Sequence, residues 1–320
     1  MNEELYYRPS GGVPLMGTLL TMVLGCLGGA VLSVIYALVN HYNPFIYFTL
    51  IATVMFGAGC GACTVFGLTI GKVRNRGTNA LAGLFVGFVS LYLSWVWYLY
   101  LVSSEAIGQG VFFFDSMAML GFMQALAENG VWEMFGVVPT GIALYIIWFL
   151  EALIVLIPSA FIAWTADSPF CESCNKWTDE KECQISFRLP EEPEKFQESL
   201  EAGDFRPLFE LSLSNIEPAC LHAKIHRCEG CEESTWLELE IAQLFVDDNG
   251  EMKSTKTPFL TYLQIPRVQA EALLALTAET AKIDNESELS PDATEEPEEA
   301  ISAEKDASSD ENLPPSPAEN

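Results

Sequence analysis

The sequence predicts an α-helical membrane bundle of four transmembrane helices, joined to a small α+β cytoplasmic domain and a disordered acidic tail. Three observations carry this reading. Apolar residues crowd into positions 13–166 in long runs with few charges. Acids crowd into 167–320, so a chain that is 50% hydrophobic still carries a net charge of −27. Two cysteine pairs, Cys171-Glu-Ser-Cys174 and Cys228-Glu-Gly-Cys231, sit in the acidic half. The 320 residues divide into a membrane unit at 1–166, a cytoplasmic unit at 167–282 and a tail at 283–320.

The first apolar run, Val13 to Val39, has no charged residue and exceeds the ~20 residues that cross a hydrocarbon core. It is too long for the apolar region of a signal peptide, and Glu3 and Glu4 do not suit the basic region before one, so it reads as a retained span. His41, Tyr42 and Asn43 make a turn, and Pro44 opens a second span over 44–71. The third, 80–102, ends in Trp95, Trp97, Tyr98 and Tyr100, an aromatic belt for the membrane interface. The fourth covers 141–164. Residues 106–127 are apolar enough for a fifth span, but Gln109, Asp115 and Gln124 oppose insertion. Asp115 instead suits the N-cap of a surface helix from about Ser116 to Ala127, closed by Asn129-Gly130.

Charge sets the expected topology. Lys72, Arg74 and Arg76 form the basic cluster between spans, whereas 103–140 holds four acids and no Lys or Arg. Basic loops stay cytoplasmic, so four spans put both termini and the paired cysteines in the cytoplasm. A reducing compartment keeps thiols available for metal. A fifth span would move the cysteines outside.

Small residues recur at helical spacing: Gly17, Thr21, Gly25 and Gly28 in the first span, Gly57/Gly61 and Gly67/Gly71 in the second, Gly83, Gly87, Ser90 and Ser94 in the third. Such faces let helices pack closely in lipid. Glu151 is the acid deep in the last span, where a carboxylate is costly. It reads either as a polar clip between helices, with Ser90 and Ser94 as partners, or as a proton- or cation-coupling group. Cys26, Cys60 and Cys63 lie within spans and read as packing residues.

In the acidic half, two pairs at this spacing suit a tetrahedral ion closed by four thiolates: Cys171, Cys174, Cys228 and Cys231 as ligands of structural zinc. Incidental or redox-active cysteines are the other reading. The gap of 53 residues between the pairs requires an insertion. A short strand at 184–189 precedes it. Two short helices between Pro190 and Asn215 fill it, with Phe196 and Leu200 on one and Leu208 and Phe209 on the other, separated by Gly203 and capped by Asp204. Residues 219–228 alternate: Leu221, Ala223 and Ile225 face one way, Cys220, His222, Lys224 and His226 the other. The histidines read as exposed strand residues, although His222, His226, Cys183 and Cys220 could each substitute in the metal shell. Trp236–Val246, the turn Asp248-Asn249-Gly250 and Pro258–Ile265 predict a hairpin, and a helix follows to about Lys282.

A hairpin leaving the second knuckle resembles the zinc-ribbon fold over about 170–265. The whole layout also resembles a loose group of uncharacterised bacterial multi-span proteins with a cytosolic CxxC-paired domain. The residues that carry this are Asn129-Gly130-x-Trp132, Trp148-x-x-Glu151 and Pro169-Phe170-Cys171-x-x-Cys174-x-x-Trp177. No activity comes with that resemblance.

The tail has 13 acids, one Lys, five prolines and no aromatic residue, a composition that cannot bury enough apolar surface to fold. Net acidity argues against nucleic acid as partner. The partners expected are the lipid bilayer and a cytoplasmic protein bound through the cysteine domain. No catalytic constellation stands out, so a non-enzymatic role is expected. The alternatives are a small transporter or channel using Glu151 and a membrane thiol oxidoreductase.

Overall fold

The computed structural model describes residues 5–43, 45–130, 136–183, 186–212, 219–231, 233–247 and 251–276. The acidic tail, Trp132 and the turn 248–250 lie outside these residues, as do parts of the expected strand at 184–189 and of the last helix.

Four long helices form a bundle: α1 (Leu15–Tyr42), α2 (Ile46–Gly71), α3 (Arg76–Ile107) and α5 (Ile142–Trp164). All four are long and apolar enough to cross a membrane. Even the shortest, with 23 residues, spans about 34 Å at ~1.5 Å per residue. Their outward faces carry Leu19, Val31, Met55, Phe66, Phe88 and Phe161, all exposed. Contiguous apolar surface on this scale marks a face that meets something other than water.

The boundaries shift from the expected ones for local reasons. Helix α3 begins at Arg76 rather than 80 because Asn75 caps it, its Oδ1 accepting from Thr78 N at 2.9 Å. It also continues past 102 to Ile107, where Gly108 ends it at φ +70°. The expected surface helix is α4 (Ser116–Asn129), and Asp115 caps it by accepting from Met117 N and Ala118 N. Its 14 residues reach about 21 Å, short of the ~30 Å core. It packs Met119 against Val96 and Leu99 near the end of α3.

The small-residue stripes are where the helices touch. A Cβ on Gly67 would stand 2.9 Å from Thr21 backbone, and one on Gly57 2.7 Å from the Val155 carbonyl. Gly83 faces Ser159 across α3 and α5, and Ser159 Oγ donates to the Gly83 carbonyl at 2.7 Å. Pro158, one residue before it in α5, cannot donate a backbone N–H.

Beyond the bundle lies a small sheet region. The ribbon β1 (Phe170–Cys171) and β2 (Lys176–Trp177) is a separate two-stranded sheet. The larger sheet is antiparallel in the order β3 (Asp179–Glu182), β5 (Ala219–Arg227), β6 (Thr235–Val246), β7 (Met252–Gln264), with β4 (Phe187–Arg188) also on β5. Helices α6 (Pro193–Glu201) and α7 (Arg206–Glu210), together with a helix over 267–276, cover its apolar face. Leu221, Ala223 and Ile225 point into that core beside Phe196, Leu200 and Leu208, as the alternation requires.

Two features of the sheet differ from expectation. His226 is buried, at 5% exposure, and pairs with Glu238 across β5 and β6 at 2.8 Å. The reason is a β-bulge in β7 that sets Tyr262 at φ +56°, with its ring against His226. The N-terminal segment before α1, for which the sequence predicts no element, docks on the sheet. Tyr7 N donates to Tyr262 O at 2.9 Å, and its ring meets Trp236 edge-on. Burial pushes the hydroxyls of Tyr6 and Tyr7 each up to about 12.

Candidate metal centre

The first cysteine pair sits on the turn between β1 and β2. Phe170 pairs with Trp177 and Cys171 with Lys176, so the chain reverses within five residues. Asn175 takes φ +51° to close the turn, a left-handed conformation that Asn tolerates better than most residues. Cys174 N points at Cys171 Sγ, 3.4 Å away. Thr178 donates both N–H and hydroxyl to the Pro169 carbonyl, pinning the ribbon's open end.

The second pair sits on the turn between β5 and β6. Cys228 N donates to Ser234 O at 2.9 Å, and Gly230 N points at Cys228 Sγ at 3.3 Å. A Cβ at Gly230 would stand 3.0 Å from Cys174 Sγ, so a glycine lets the second turn close over the first. Arg267 Nη1 donates to the Cys231 carbonyl at 3.0 Å, tying the turn to the helix over 267–276.

Together the turns bring the four sulfurs of Cys171, Cys174, Cys228 and Cys231 within 4.8 Å of one another. Cys171 and Cys231, from different pairs, stand 3.4 Å apart. A regular tetrahedron of ~2.3 Å zinc–sulfur bonds sets its sulfurs about 3.8 Å apart. The donor set therefore fits an ion of that kind. Cys171 and Cys228 are buried, while Cys174 and Cys231 are half-buried. The thiols share their protons unequally. The hydrogen bond from Cys171 holds Cys231 down to about 7. The neighbouring Cys228 and Cys231 push Cys174 up to about 12.

The other sulfur and nitrogen candidates lie elsewhere. Cys183 belongs to the sheet core. Cys220 and His222 contact each other at 3.5 Å, and Ser186 Oγ lies 3.3 Å from the same imidazole nitrogen. His226 is committed to Glu238.

The first turn is also seated on the bundle. Lys72 Nζ donates to the Asn175 carbonyl at 2.6 Å, Arg74 pairs with Glu172 at 3.0 Å, and the Arg74 guanidinium lies 4.1 Å over the Phe170 ring. Arg76 pairs with Asp167. The basic cluster legible in the sequence thus meets the cysteine region itself, a role that charge alone did not assign.

Glu151 lies in α5, where Tyr36 Oη of α1 donates to its carboxyl at 2.6 Å. Tyr36 Oη also lies 2.8 Å from Thr53 Oγ1 of α2. The expected partners Ser90 and Ser94 bond instead to carbonyls of their own helix, at Val86 and Leu91. A tyrosine in helical register with small residues, near the end of an otherwise apolar run, was the signal for this contact. Cys26, Cys60 and Cys63 are free thiols, and Cys60 is fully buried among helices.

The class this architecture defines is a chain of four apolar helices of membrane-crossing length carrying a small sheet region with a four-cysteine cluster able to hold a metal ion. Comparison with known proteins finds no matching family model, curated protein or solved structure.

Proposed function

We propose that this chain is an integral membrane protein with four spans, both termini in the cytoplasm, and a zinc-ribbon-like domain that serves as a structural and protein-interaction module. The observation that carries the reading is the convergence of four sulfurs, two from each of two tight turns, within 4.8 Å. Four thiolates fill a tetrahedral shell, leaving no open position for substrate. That favours scaffolding over catalysis. A knuckle on a β-ribbon facing a knuckle on a β-hairpin supports the ribbon-like description, with β3, β4, α6 and α7 between the halves.

The cytoplasmic assignment draws support from one end of the bundle. Lys72, Arg74 and Arg76 meet the cysteine region there, the Arg74 N–H donates to Gly12, and basic loops stay inside. For Glu151, bonds linking α1, α2 and α5 favour the polar-clip role over ion coupling. A cytoplasmic protein is the partner class proposed for the exposed side of the cysteine domain.

The test is protease protection combined with metal analysis. In sealed right-side-out vesicles, external protease leaves 167–276 intact. Opening the vesicles exposes it, and chelation then speeds its cleavage. Cleavage in sealed right-side-out vesicles overturns the cytoplasmic assignment.

A further inference from the structure

We propose that a metal ion in the four-cysteine site locks the 171–177 turn onto the loop between α2 and α3, so that the bundle responds to whether the site is filled. This rests on the metal reading above and goes beyond it, because it gives the ion a role outside its own domain.

The turn that supplies Cys171 and Cys174 is the same turn that grips the bundle. Within it, Glu172 holds Arg74, the Asn175 carbonyl accepts from Lys72, and the Trp177 indole donates to the Thr69 carbonyl at 2.7 Å. On its other side, among the described residues, the ribbon shares no ladder with the larger sheet. The chain runs on from Trp177 into β3, where Asp179 pairs with Arg227 beside the second pair, and the thiol cluster is the further tie that closes the 171–177 turn itself onto that pair.

The loop it grips is itself built into the helix ends. Val73 N donates to Leu68 O and Lys72 N to Thr69 O, with Lys72 left-handed at φ +53°. This is the paired closure of a Schellman motif, with Val73 packed back on Leu68. Val73, at 1% exposure, also meets Ala163 of α5. Arg74 N donates to the Gly12 carbonyl just before α1, and Asn75 caps α3. Displacing this loop disturbs the ends of all four long helices. Lys72 and Asn175 are both non-glycine residues at positive φ, and the bond between them joins two conformations that side chains rarely adopt.

Coupling of this kind is reciprocal. If the ion favours the seated turn, the seated turn favours the ion by the same factor.

The experiment uses the full chain in nanodiscs under reducing conditions, either zinc-loaded or stripped by chelator, and reads amide hydrogen exchange by mass spectrometry. Stripping is expected to speed exchange in both 171–177 and 72–76. The double variant Lys72→Ala/Arg74→Ala is expected to bind one zinc about tenfold more weakly, with 72–76 no longer responding to it. Trp177→Phe, a milder cut of the same contact, is expected to shift affinity in the same direction. Stoichiometric zinc binding with 72–76 exchange indifferent to it, and unchanged affinity in both variants, overturns the coupling alone. A chain that binds no zinc overturns the metal reading as well.

Discussion

Trp177 Nε1 donates a hydrogen bond of 2.7 Å to the carbonyl of Thr69 in the last turn of α2. The last carbonyls of a helix lack partners within it, and Trp177 reaches this one from three residues past Cys174. Trp177→Phe keeps an aromatic ring against Phe170 while removing the N–H donor and part of the ring system. The expected cost is about 1 kcal/mol, read by denaturant unfolding of the chain in detergent.

The glycines of the bundle divide by their surroundings. Gly83 faces the backbone of Ser159, whereas Gly121 in α4 has open space around it. The same change to alanine therefore acts in opposite directions. Gly83→Ala overpacks α3 against α5 and is expected to cost about 1–3 kcal/mol. Gly121→Ala is expected to stabilise by up to about 1 kcal/mol through helix propensity. Paired melting curves in the same detergent decide the matter, and equal shifts would refute this packing account.

Tyr36 and Glu151 form one clip, so the two ends respond differently to substitution. Glu151→Gln retains an acceptor for Tyr36 and is expected to leave stability nearly unchanged. Tyr36→Phe leaves the carboxyl without its donor and is expected to cost about 1–3 kcal/mol. Proton flux into vesicles is expected to be the same for Glu151→Gln and the parent chain. A loss of flux would move Glu151 from packing to transport.

Zinc uptake depends on pH through the thiol protons. The neighbouring sulfurs raise Cys174 and burial raises Cys228, so these two thiols carry protons at neutral pH. Binding as thiolates then releases these protons. Affinity therefore rises with pH and falls as the solution is acidified. Zinc titration in weak buffer with a pH indicator counts the protons. Release of none would mean that the metal is held elsewhere.

The helix count and the cysteine set were legible because each has a strong local code. Charge-free runs of sufficient length mark α1, α2, α3 and α5, and two pairs at metal-knuckle spacing mark the sulfurs. The seating of the cysteine turn on Lys72, Arg74 and Thr69 was not legible. It joins residues about a hundred positions apart, and two of its contacts run to backbone carbonyls, which any residue supplies. The burial of His226 was hidden for a related reason. Alternation places it on the polar face, but Tyr262, re-aimed by a bulge, and Glu238 cover it there. Tyr6 and Tyr7 gave only a hint, two aromatics in a short polar segment, of a segment docked on β7.

The central claim is that Cys171, Cys174, Cys228 and Cys231 hold one structural metal ion. Elemental analysis of the purified full chain under reducing conditions tests it most directly. The expected result is about one zinc per chain, lost with the fold of the sheet region when Cys171→Ser or Cys228→Ser is introduced. A chain free of metal, with these cysteines joined as disulfides when taken from intact cells, would contradict both the metal site and the cytoplasmic placement.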